Sequence, residues 1–231
     1  MSEREKILER IKEALRNPAL PSHDDSGDRH GTATKPQPSK QPRQWLPSVG
    51  SGIEDQLQTF ARNAADLKAA FYLVQGSDEL SRKLQELRDA EAWKKVASHR
   101  GELTGVACNA LGLPVQYTDS GYEAQALESC DAGITECDAL VAQTGSVLLT
   151  SVSAGGRALS VLPPHHVVIA RVAQMVPDLS EAFALLRRKY EKNYPSFISF
   201  VTGPSRTGDI ERILVLGAHG PKKLTIFCLQ Q

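Results

Sequence analysis

Short segments rich in Val, Ile and Leu recur along the chain, and between them lie helical spacings and glycine-punctuated polar loops. Ala70–Val74 reads AFYLV, residues 166–170 read HVVIA, and ILVLG and LTIFCL follow near the C-terminus. Strands with no polar alternation must be buried on both faces, which is how strands of covered parallel sheets read. Helical stretches alternate with them. Ile53, Leu57, Phe60, Ala64, Leu67 and Phe71 are spaced 4-3-4-3-4; Leu80, Leu84 and Leu87 mark a second helix, and Leu179–Tyr190 a third. Residues 139–150, ALVAQTGSVLLT, read as two short strands around a Thr-Gly-Ser turn. The alternation predicts an α/β fold with a mostly parallel sheet covered by helices, and no internal repeat is present.

Composition narrows the function classes. A hydrophobic fraction of 41% in 231 residues supports a real core and excludes a wholly disordered chain. Lys+Arg and Asp+Glu both number 27, so there is no global charge to attract nucleic acid or an anionic membrane. No apolar run reaches the ~18 residues of a spanning helix, and the N-terminal MSEREKILERIKEALR has no apolar signal core. The expectation is a soluble, cytoplasmic protein. Within residues 1–16, Ile7, Leu8, Ile11, Ala14 and Leu15 form one helical stripe, stopped by Pro18. Residues 22–50 are nearly devoid of apolar side chains and rich in Pro, Ser and charge. We therefore expect residues 1–50 to form an amphipathic helix and a flexible linker, and residues 51–231 the globular domain. That helix either packs on its own domain or docks a partner. Cys108, Cys130, Cys137 and Cys228 form no C-x-x-C pair and read as small buried hydrophobes, so no metal or cluster is expected in this chain.

Three polar stretches at strand ends are where chemistry would sit: residues 142–146, residues 151–157, and residues 202–211 with 216–221 just beyond. Ligands in open α/β sheets settle outside the carboxyl ends of strands, and glycines there let backbone N–H groups approach an anion. Arg206 offers a planar fork for a carboxylate or phosphate, or else pairs with Asp209 across its own turn. His165 and His166 are adjacent at a strand start and so point to opposite faces; at most one faces a site, and the pair is a poor metal chelate. His219 sits between glycines as a candidate proton carrier, and Asp138, Asp209 and Glu211 are candidate carboxylates. Neither a Walker A nor a G-x-G-x-x-G sequence is present.

The string TGPSRTGDIE at 202–211, GAHGP at 217–221, DALVAQTGSVLL at 138–149 and LPPHHVVI at 162–169 together resemble the lactate-utilization domain family over about residues 51–231. The resemblance implies a fold similar to the sugar-phosphate isomerase and coenzyme A transferase superfamily. It also implies a place in a system that oxidises L-lactate to pyruvate with iron–sulfur partner proteins, this chain binding no cofactor itself. Carried over by motif, His219, Asp209 and Glu211 are the catalytic candidates. Gln143, Thr144, Gly145, Gly203, Ser205, Arg206, Thr207 and Gly220 are the substrate-binding ones, for a small carboxylate. The family usually has Glu where Gln143 stands, and an amide cannot ionise or act as a nucleophile, which argues against covalent transferase chemistry there. Two other roles remain open at this level: a stand-alone group-transfer or isomerase-type enzyme on a phosphorylated or thioester substrate, and a non-catalytic scaffold.

Overall fold

The computed structural model describes residues 48–210, 213–216 and 220–230, with residues 207–210 and 213–216 described by their backbone. Its centre is a six-stranded sheet in the order β1-β12-β7-β4-β2-β3, every neighbouring pair parallel. The strands are β1 (Ala70–Val74), β2 (Val96–Ser98), β3 (Val115–Tyr117), β4 (Ala132–Thr135), β7 (His165–Arg171) and β12 (Lys223–Leu229). A second sheet, in the order β8-β5-β6-β9, is made by β5 (Ala139–Val141), β6 (Ser146–Thr150), β8 (Met175–Val176) and β9 (Ile198–Val201). β5 and β6 are antiparallel, as the Thr-Gly-Ser turn requires, and β10 (Arg206–Ile210) and β11 (Ile213–Leu216) form a separate antiparallel pair.

Period-two alternation on β7 and β12 assigns the two cores. Val167, Ile169, Phe227 and Leu229 point to one face, where α2 (Ser77–Ala90) and α3 (Glu102–Leu111) bury Leu80, Leu84, Leu103 and Leu111. Val168, Ala170, Leu224, Ile226 and Cys228 point to the other, against Phe60 and Ala64 of α1 (Ile53–Asp66) and against Leu140, Val147 and Leu149 of the second sheet. Full burial of each large side chain contributes roughly 1.5–3 kcal/mol, so these two clusters carry most of the fold's stability. One face of the parallel sheet is thus covered by helices and the other largely by a second sheet, a distinction periodicity alone does not make. The short helix α4 (Ala124–Glu128) precedes β4, and α5 (Leu179–Tyr190) covers the outer face of the second sheet through Ala182 and Leu186.

The spacing that predicts one helix from Ile53 through Phe71 overshoots. α1 ends at Asp66, the chain reverses at Lys68 with φ 66°, and Phe71 lies in β1. Phe71 still meets the same apolar face, edge-on to Phe60 at 5.0 Å, which is why its spacing mimics another helical turn. Of the amphipathic helix and linker expected over residues 1–50, all but residues 48–50 lie outside the described residues. Among the described residues, no helix is long and apolar enough to cross a membrane.

Asp138, one of the candidate carboxylates, is a structural tie. Its side chain is wholly buried, with Lys189 Nζ at 2.6 Å, Tyr190 Oη at 2.7 Å and Thr150 Oγ1 at 2.8 Å. Burial pushes its pKa up, but the hydrogen bonds from Lys189, Tyr190 and Thr150 outweigh it and the net shift is downward. The carboxylate joins the last turn of α5 to the β5–β6 hairpin. Asp138→Ala, which takes the carboxylate acceptor from the Thr150 and Tyr190 hydroxyls while the half-exposed Lys189 is free to turn to water, is expected to lower the unfolding free energy by about 2 kcal/mol in urea denaturation.

Candidate functional site

A cavity of about 200 Å³ opens where the carboxyl end of β9 meets the amino ends of β7 and β12. Val161, Val201 and Leu224 supply apolar wall; His166, Thr202 and Ser205 supply polar side chains; Gly203 and Gly220 line it with backbone. The two loops are held together by Ser205 N–H donating to the Pro221 carbonyl at 2.9 Å. Expected site residues Gly203, Ser205 and Gly220 therefore converge. They do so at the carboxyl end of a strand of the second sheet, not outside the carboxyl ends of the parallel sheet, because β9 delivers its loop to the opposite end of β7 and β12.

The hairpin residues Gln143, Thr144 and Gly145 do not line this cavity; the C-terminal turn of α1 takes them up. Asn63 Nδ2 donates to the carbonyls of both Ala142 and Gln143 at 2.9 Å, and Gln143 N–H donates to the Pro177 carbonyl at 2.9 Å. Gly145 has φ 64°, and a Cβ there would lie 2.9 Å from Asn63 Cβ and 3.0 Å from Ala64 N, so only glycine lets the turn seat on the helix. Thr144 reaches the cavity one step removed. Ser146 Oγ donates to Thr144 Oγ1 at 2.7 Å and lies 2.8 Å from Thr202 Oγ1.

Gly203 repeats this logic with φ 84° and the Leu67 carbonyl 2.9 Å from where its Cβ would be. Arg206 Nη2 donates to that same Leu67 carbonyl, so the guanidinium sits at the negative end of α1 and outside the cavity lining. Thr207 and Asp209 are described only by their backbone, in β10, where Thr207 pairs with Val215 and a bulge follows before Ile210. Glu211 and His219 lie outside the described residues. Sequence reasoning missed Asn63, an unremarkable helical amide, and placed Thr202 in a candidate stretch without naming it among the binding residues. It did single out the histidine pair, of which one member lines the cavity.

His165 and His166 occupy opposite faces, as adjacent strand residues must. His165 packs edge-on against Trp93 at 5.2 Å with Nε2 2.8 Å from Thr225 Oγ1, whereas His166 lines the cavity with Nε2 2.9 Å from Thr135 Oγ1. Burial pushes His165 down to about 4 and His166 down to about 3, the latter helped by its neighbour's charge. Both rings are neutral at physiological pH. The four cysteines are buried as free thiols, with burial holding Cys137 well above its usual range and Cys228 at about 12. Among the described residues, no group of three or more His, Cys, Asp or Glu is arranged to hold a metal ion.

Two outcomes follow from this geometry. Because the folded state depresses both histidines, the unfolded chain binds more protons from about pH 6.5 down to about 4; stability is full above that window and falls as pH drops through it. Acidification should cost up to about 1.4 kcal/mol per histidine per pH unit there, and the His165→Gln/His166→Gln double variant should lose most of that slope in thermal melts at pH 7 to 5. Arg206→Ala should lower the unfolding free energy by about 1 kcal/mol in urea, since it removes a cation from a helix carboxyl end.

Residues 57–229, from α1 to β12, match the LUD domain family. Over 100 residues the chain is 41% identical to Lactate utilization protein C of Geobacillus sp. (strain WCH70), covering 42% of each chain. It is 40% identical over 101 residues to the protein of that name from Anoxybacillus flavithermus, covering 44% of each, and 36% identical over 107 residues to that from Halalkalibacterium halodurans, covering 46% of each. The chain thus spans less than half the length of these curated relatives. The crystal structure of a DUF162 family protein from Deinococcus radiodurans superposes with a TM-score of 0.60 at 19% identity, covering 78% of this chain and 99% of that one, which shows a shared fold. With the match running through both sheets and both sides of the cavity, the chain belongs to the LUD domain family.

Proposed function

We propose that this chain works in lactate utilization, as a subunit of a system that oxidises L-lactate to pyruvate and that holds the small carboxylate in the cavity between β7, β9 and β12. The observation that carries this reading is the stretch of about 100 residues shared with proteins named Lactate utilization protein C. The cavity chemistry supports it. Ser146 spends its hydroxyl proton on Thr144, so Thr202 donates to Ser146 and keeps its oxygen as an acceptor for a substrate hydroxyl. Ser205 Oγ has no hydrogen-bond partner among the described residues and is available as a donor to a carboxylate. Val161, Val201 and Leu224 suit a methyl group.

No redox group is placed on this chain in the proposal; iron–sulfur partner proteins take up the two electrons removed from lactate. In the same reading, residues 51–231 form the LUD domain, and residues 1–50 are an appended segment available to those partners. Adding the chain to the purified partner proteins should restore lactate-dependent reduction of an electron acceptor, and omitting it should abolish the reaction. In titration calorimetry, Ser205→Ala should weaken L-lactate binding by roughly three- to tenfold, the worth of one neutral hydrogen bond. Undiminished lactate oxidation without the chain would overturn the assignment.

A further inference from the structure

We infer that His166 is held as its Nδ1–H tautomer and that this N–H is the donor that fixes the ligand's acceptor oxygen in the cavity. The inference rests on reading that cavity as the site of a small carboxylate, and it adds a residue that holds the ligand there. Thr135 is fully buried at the end of β4, and among the described residues its hydroxyl has one hydrogen-bonding partner, His166 Nε2 at 2.9 Å. A buried hydroxyl proton aimed at no acceptor is costly, so Thr135 O–H donates to Nε2, and the ring proton must then reside on Nδ1.

Among the described residues that buried nitrogen has no hydrogen-bond partner; the same holds for His165 Nδ1 on the opposite face, but of the two rings His166 is the one that lines the cavity. Buried polar atoms are nearly always satisfied, and an orphan at a cavity wall points to something that enters the cavity and accepts from it. None of the described lining residues carries a charge, so what this part of the wall offers a carboxylate is oriented donors. The neutral state of the ring, a consequence of its burial, agrees with this. Thr135 touches His166 from the neighbouring strand and acts as a positioning residue: it selects the tautomer.

Long-range ¹⁵N–¹H correlation spectra of the imidazole rings in the full chain test the proposal directly. His166 is expected as the Nδ1–H form, and Thr135→Val should erase that preference. Finding Nε2–H in the unmodified chain would overturn the proposal whatever the ligand does. Titration with L-lactate, and separately with pyruvate, should shift the His166 Nδ1–H resonance together with the Ser205 and Gly220 amides. Shifts at Ser205 and Gly220 without His166 would overturn the donor role alone and leave the carboxylate site standing. No shift at any cavity residue would overturn both. His166→Phe should weaken lactate binding by roughly three- to tenfold, and unchanged affinity in a folded variant would again overturn the donor role.

Discussion

The C-terminal turn of α1 is the joint on which the arrangement depends. Within five residues it offers the Asn63 amide to two carbonyls of the β5–β6 hairpin and the Leu67 carbonyl to Arg206. Both glycines with left-handed backbone near it, Gly145 and Gly203, approach so closely that a methyl group would collide with helix atoms. The second sheet is thereby seated against α1, and α1 in turn packs Phe60 and Ala64 into the core beneath β7 and β12. Moving this turn would move the loop after β9, and with it one wall of the cavity.

Burial of β7 and β12 on both faces sets the electrostatics. A parallel pair in the middle of the sheet leaves no solvent for the first two residues of β7, so two histidines enter the core and lose their charge. Each offsets part of that cost with one threonine hydroxyl, Thr225 on one face and Thr135 on the other. The pairing is equivalent but the surroundings are not: one ring faces Trp93 and the other faces a cavity. A difference in chemistry thus arises from strand alternation alone. Asp138 shows the opposite solution, a buried group that keeps its charge because three donors surround it.

Several residues expected in ligand chemistry also serve architecture. The Gln143 backbone and Gly145 dock the hairpin, and Arg206 reaches a helix end. The two demands resemble each other in sequence because each calls for glycine, hydroxyl and guanidinium groups in short loops. A backbone that must approach a helix and a backbone that must approach an anion both require a residue without a Cβ. The hydroxyl chain through Thr144, Ser146 and Thr202 belongs to both, because it joins the hairpin to the cavity wall.

What the sequence by itself determined was the order and type of elements: the unalternating strands, α5 at Leu179–Tyr190, the Thr-Gly-Ser hairpin, and the opposite facing of His165 and His166. These follow from local periods of two and 3.6 and from turn chemistry, which neighbouring residues settle among themselves. Tertiary structure alone decided that one face of the parallel sheet meets a second sheet, and that Gly203, Ser205 and Gly220 share a cavity with His166. It also decided that Arg206 and the Gln143 loop are turned toward α1. Those outcomes rest on contacts between residues tens to more than a hundred positions apart, such as Asn63 with Gln143 and Arg206 with Leu67. No local spacing encodes such pairs, because their partners are chosen by how whole layers pack.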